Sequence, residues 1–326
     1  DASNSTNLNA GLGWHPIGNT STAFRGSYDG QDYVIYNLSI NRPTEDNIGL
    51  FGEINNSSVQ SVWLDNSSIV GHENVGSLVG MATKSSLSQI TVFGAVEGNI
   101  STGGIIGNLY NQSTLSQSSF EGDVVGNAGG ISDSDYQKTG GLVGHLEFNS
   151  TIDTSWSSGL ISGNYMVGGL VGQNAYSNIK NSYSVAGVTA TYNAVGGLIG
   201  WNQTDDSVVD GVQYNFSSGT VSITSVNTSI GGFIGYHSNC NSCSTRGNDN
   251  YWLSVASNQS TSEGGESLAT GLTDEAAKIS ESYVNWDFDS TWIVSGNLND
   301  GYPFIRGNNP LDLINITFDK SYSVSI

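Results

Sequence analysis

The chain repeats itself at a near-constant interval, and this constrains its fold more than any other feature. A glycine–hydrophobe–glycine phrase occurs in "NIGLFGEI", "NVGSLVGMA", "STGGIIGNL", "KTGGLVGHL", "MVGGLVGQN", "AVGGLIGWN" and "SIGGFIGYH". The last glycines are Gly52, Gly80, Gly107, Gly144, Gly172, Gly200 and Gly235, spaced by 28, 27, 37, 28, 28 and 35 residues. The two long intervals carry insertions, "GNAGGISDSDYQ" and the residues around "YNFSSGTVSITSVN". One glycine-rich phrase could cradle a phosphate, but seven in register read as scaffold.

Between the copies lie alternating, β-branched runs such as "SVQSVWLDNSSIVG", "SLSQITVFGAVEG" and "TIDTSWSSGLISG". They read as strands, and no helical period of useful length interrupts them between Gly49 and Tyr236. The expected fold is all-β: a right-handed parallel β-solenoid of about seven coils, each coil burying its inner face only against its neighbours. Stacking aligns Leu50, Leu78, Ile105, Leu142, Leu170, Leu198 and Phe233 into an interior ladder. Val79, Ile106, Val143, Val171 and Ile199 then face the other way or lie at a corner. The glycines are expected either to take φ > 0 at the bend or to let backbones approach closely.

Both ends depart from the repeat, as capping segments should. The expected organisation is an N-terminal cap (1–43), the solenoid (44–243), a C-terminal cap (244–309) and a strand-like tail (310–326). Tyr28-Asp29-Gly30 reads as a hairpin or turn, and "GLTDEAAKI" as the single short helix, with Thr273 its N-cap. Trp14, Trp286 and Trp292 read as cap core.

Twenty-nine acids against nine bases give a net charge of −20, and the bases are scattered. No phosphate-neutralising or polybasic membrane patch is available, so nucleic acid and membrane partners are excluded. Cys240 and Cys243 in "NCNSC" read as a small structural disulfide, with intermolecular pairing or free thiols as alternatives. Asn-x-Ser/Thr occurs fourteen times, at Asn4, Asn19, Asn37, Asn55, Asn56, Asn66, Asn99, Asn111, Asn149, Asn202, Asn215, Asn227, Asn258 and Asn315. Chance gives about eight for this composition, so the excess points to a secreted glycoprotein.

The G-G-L-V-G phrases resemble the GLUG motif. "WHPIGNTSTAFRGSYDGQDYVIYNLSI" and "WDFDSTWIVSGNLNDGYPFI" resemble the segments that precede and close such repeats. The likeness covers about residues 12–306. It implies an extracellular solenoid of the kind found in secreted and cell-surface proteins of bacteria and archaea, including adhesin-like proteins and non-catalytic parts of immunoglobulin A peptidases. It transfers no catalytic residue.

The four histidines, His15, His72, His145 and His237, form no HExxH motif, and no G-x-S-x-G elbow is present. The acidic pairs Asp133/Asp135, Asp205/Asp206 and Asp287/Asp289 are the candidates for calcium, or for a polysaccharide-active β-helix enzyme. No cofactor is otherwise expected. Trp63, Phe120, Trp156 and Tyr183 occupy equivalent strand positions and read as a structural stack or a glycan-binding strip. The resulting expectation is a non-enzymatic extracellular structural glycoprotein, self-associating into a filament, sheath or surface layer through strand pairing at its ends. An adhesin module binding glycans or another cell surface is the alternative.

Overall fold

Each glycine phrase opens one strand of a single parallel sheet. The computed structural model describes residues 1–126, 137–203, 211–225, 229–238, 249–263, 268–296 and 298–307. Phe51–Asn55, Val79–Thr83, Ile106–Tyr110, Val143–Glu147, Val171–Ala175, Ile199–Gln203 and Ile234–Ser238 lie side by side in chain order. The pairings Phe51↔Val79, Val79↔Ile106, Ile106↔Val143, Val143↔Val171, Val171↔Ile199 and Ile199↔Ile234 reproduce the spacings 28, 27, 37, 28, 28 and 35. The rest of each coil, including Ser58–Val70, Ser86–Gly98, Ser119–Gly126, Trp156–Gly168 and Gly187–Gly196, pairs in parallel in a second, wrapping sheet. The chain is a parallel β-solenoid.

Its inner ladder is as expected: Leu78, Ile105, Leu142, Leu170, Leu198 and Phe233 are fully buried and Leu50 nearly so. Burying each such side chain contributes about 1.5–3 kcal/mol. Val79, Ile106, Val143, Val171 and Ile199 are equally buried, because the chain bends just before them and both sides of the bend face inward. The repeat glycines serve close approach alone, for none has positive φ. A Cβ on Gly141 would stand 2.0 Å from the carbonyl oxygen of Gly169 in the next coil.

The left-handed corners belong to other residues. One column of φ > 0 positions runs Ser61, Gln89, Gln117, Thr154, Asn181, Tyr214 and Asp249, and another runs Asn56, Lys84, Asn111, Phe148 and Tyr176. Each column is followed by a buried polar ladder. The backbone N–H groups of Ser57, Ser85, Ser113 and Ser150 donate to the hydroxyls of Ser85, Ser113, Ser150 and Ser177 at 3.0–3.2 Å. Those of Ile90, Ser118, Ser155, Ser182 and Asn215 donate likewise to Ser118, Ser155, Ser182, Asn215 and Asn250. Buried corner amides, which no strand partner serves, are thus satisfied from the next coil.

The ends are more solenoid-like than the sequence suggests. Ser27–Asp29, Val34–Tyr36 and Ser39–Asn41 all pair in parallel with Ser58–Val70 and form a further coil. Tyr28-Asp29-Gly30 therefore leads into a turn, closed by Tyr33 N–H on the Gly30 carbonyl, and no hairpin forms. The 3-10 segment Ser3–Gly11 closes this end, with Ser39 N–H donating to Ser5 Oγ at 2.9 Å. At the other end Tyr251–Leu253 pairs with Phe216 and Ser217, and Thr270–Leu272 pairs beyond it. Thr273 caps the expected helix, Asp274–Ala277, by accepting from Ala276 N–H, and a second short helix spans Ser254–Ser257.

Candidate functional site

A cluster of polar residues lies on the outer face of the seven-stranded sheet. Strand register places Asn108, His145 and Gln173 in one row and Tyr110 and Glu147 in the next. Asn108 Nδ2 donates to Glu147 Oε1 at 3.0 Å, and His145 Nδ1 stands 3.3 Å from the same oxygen. Burial, then the nearby Lys138 charge, lowers the His145 pKa to about 3, so the imidazole is neutral at pH 7. Burial also raises the Glu147 carboxyl, against the opposing pull of Asn108 and Lys138. The contact is therefore between a carboxyl oxygen and a neutral ring, and it is not an ion pair at pH 7. Inside the coil, Asn174 Nδ2 donates to Asn202 Oδ1 at 2.8 Å, and Asn202 Nδ2 lies 3.2 Å from His237 Nδ1. His237 then accepts, and burial lowers its pKa as well.

A groove of about 420 Å³ opens near the N-terminal end, lined by His15, Asn19, Glu45, Asp46, Glu73 and Met81 among others. Arg42 bonds both Glu45 oxygens, and His72 Nδ1 is 2.7 Å from Asp46 Oδ1. The groove favours cationic over anionic occupants.

Cys240, Cys243, Asp133, Asp135, Asp205, Asp206, Asn227, Asn315 and the 310–326 tail lie outside the described residues. Asp287 is a turn residue: its carboxylate accepts from the backbone of Asp289 and Ser290 and from the Ser290 and Thr291 hydroxyls, which lower its pKa. Among the described residues no group of three or more His, Cys, Asp or Glu is placed to hold a metal.

Two sequons meet the fold badly. Asn202 (1 % exposed) and Asn215 (0 %) are ladder residues with their amides turned inward, so the expectation of glycans there does not fit. Asn4, Asn19, Asn37, Asn55, Asn56, Asn66, Asn99, Asn111, Asn149 and Asn258 are exposed or half-buried.

The aromatic row is real but shifted and covered. Register aligns Trp63, Thr91, Ser119, Trp156, Tyr183, Phe216 and Tyr251. Phe120 is one residue out of phase and points into the core against Val92 and Ser157 positions. Trp156 and Tyr183 stack at 5.7 Å with planes 7° apart. Tyr283, Trp286, Trp292 and Phe304 of the C-terminal segment bury this row, leaving Trp156 and Tyr183 each 4 % exposed. That rules out a glycan-binding strip at these two positions. Trp63 stays half-buried beside Phe93, and Trp14 is half-buried with its indole N–H on the Leu50 carbonyl at 3.3 Å.

Fold and repeat together define a parallel β-solenoid built from GLUG-type phrases. The model of the GLUG motif matches residues 163–189. Halomucin of Haloquadratum walsbyi is 42 % identical over 115 residues, 34 % of this chain and 1 % of halomucin. The immunoglobulin A1 protease of Streptococcus pneumoniae is 34 % identical over 101 residues, 31 % of this chain and 5 % of the protease. The chain thus spans only a small part of these relatives. A crystal structure of a Bacteroides ovatus protein, described as a candidate immunoglobulin A1 protease, superposes with a TM-score of 0.51 at 16 % identity. It covers 90 % of this chain and 81 % of its own, a likeness of fold alone. Among the described residues no helix is long and apolar enough to cross a membrane.

Proposed function

We propose that the chain is an extracellular structural module, glycosylated at accessible corner asparagines, that joins copies of itself into a surface assembly and carries no catalytic role. The observation behind this reading is the inequality of the two edges of the seven-stranded sheet. At the N-terminal edge, Phe51–Asn55 is paired along its length by Ile17 and Phe24. At the far edge, Ile234–Ser238 meets residues 261–263 only at its start, and among the described residues no strand follows Gly235 to Ser238. An edge of this kind, with no strand beside Gly235 to Ser238 among the described residues, is a template for another chain. The strand-like sequence of residues 311–326 is the segment proposed to fill it from a neighbouring copy. The relatives named for a mucin and for large proteases agree with an extracellular setting.

Electron microscopy of the purified protein tests the reading. Filaments or sheets are expected, and both deletion of 311–326 and Tyr236→Lys, which charges the open edge, should leave single particles. Monodisperse native protein, or assembly untouched by both changes, overturns it.

A further inference from the structure

One left-handed corner column changes character part-way along the solenoid. Asn56, Lys84, Asn111, Phe148 and Tyr176 follow one another coil by coil, each with φ between 48° and 55°. Asparagine suits this conformation, whereas a bulky aromatic is strained in it. Phe148 is nevertheless 47 % exposed, so its strain is not compensated by burial. Strain held at a surface position points to a role outside the fold. Tyr110, at the end of its strand, stands edge-on to Phe148 at 5.3 Å, and Phe148 lies 6.4 Å from Tyr176. Three half-open rings thus rise along one edge at about one per coil.

We propose that this edge, Tyr110–Phe148–Tyr176, binds a neutral, extended carbohydrate chain lying along the solenoid axis. The ring centroids lie 5.3 and 6.4 Å apart, somewhat more than the ~4.8 Å separation of strands, so successive rings of an extended sugar chain can meet successive aromatics. The C–H faces of sugar rings stack on exposed aromatics, and their hydroxyls need nearby donors and acceptors. Gln112 is exposed beside the rings, and Gln203 Nε2 donates to the Tyr176 hydroxyl, holding that ring in place. Charge selects the neutral class. The net charge of −20 repels anionic polysaccharides, and Glu147 beside the column is held by Asn108. The site does not depend on polymerisation and lies away from the open strand edge.

Affinity electrophoresis of the full chain through gels containing laminarin, mannan, dextran or hydroxyethylcellulose, with alginate as the anionic comparison, tests it. At least one neutral polymer should retard the protein and alginate should not. Phe148→Asp and Tyr176→Asn should weaken retardation at least tenfold. Leu160→Ala, an exposed residue on the other sheet, should leave it unchanged. Because aspartate and asparagine tolerate the left-handed conformation, both corner variants should melt at the same temperature as the parent or higher. Absence of retardation by every neutral polymer, or wild-type retardation of Phe148→Asp, overturns the proposal. So does a lowered melting temperature in both corner variants, which would make the rings part of the packing.

Discussion

His145 carries the sharpest residue-scale consequence. Its folded pKa, about 3, lies well below its unfolded value near 6.5, so the unfolded chain binds the extra proton in between. Stability therefore rises with pH across this window: the contribution is complete above about pH 6.5 and is lost as pH falls toward 3. Glu147, raised by burial, acts in the opposite sense, but only near and above its own ordinary range. Denaturant midpoints should fall between pH 6.5 and 4.5, and His145→Gln should flatten that slope. An unchanged slope would show that His145 is charged in the folded state. The same scale gives part of the asparagine excess a structural source. Asn56, Asn66 and Asn111 occupy left-handed corners, and a buried ladder serine follows two residues after Asn55 and Asn111. At these positions Asn-x-Ser serves the corner and its ladder, whether or not the asparagine also carries a sugar.

The serine ladders are the element-scale device that keeps the corners folded. Ser155 Oγ accepts from Ser118 N–H at 3.1 Å and donates to the Asp153 carbonyl at 2.8 Å, fully buried. Ser155→Ala removes this acceptor from a buried amide and should cost about 1–3 kcal/mol in urea denaturation. Asn in place of serine continues the ladder at Asn215 and Asn250 and should be tolerated better at position 155. Equal losses for alanine and asparagine would show that the ladder carries no energy of its own. The covering of Trp156 and Tyr183 is also an element-scale matter. No pattern within those strands records that Trp286 and Trp292, more than a hundred residues later, will lie against them.

At the scale of the whole molecule, each coil contacts mainly its neighbours, so stability is close to a sum over coils and their interfaces. Deleting one complete period, residues 171–198, joins Leu170 to Ile199, itself the register partner of Val171. The shortened chain should still unfold cooperatively with strand circular dichroism, at a somewhat lower midpoint. Deleting only residues 171–184 breaks the register and turns interior residues outward, so it should abolish the cooperative transition. Two similar melting curves would disprove a register-determined stack.

The sequence by itself determined the coil. Its intervals are the strand offsets, because in a parallel stack a residue pairs with its equivalent one turn later. It also set the interior ladder, through the phrase that repeats Leu or Ile at one phase. Only the tertiary structure decided three other matters. It placed Val79 and its equivalents inside, because a bend reverses the alternation that a straight strand would keep. It shifted Phe120 into the core by a single residue, since phase within a strand depends on where the preceding corner falls. It buried Trp156 and Tyr183 while leaving Phe148 and Tyr176 open, because the covering segment arrives from far along the chain and reaches only one face of the stack.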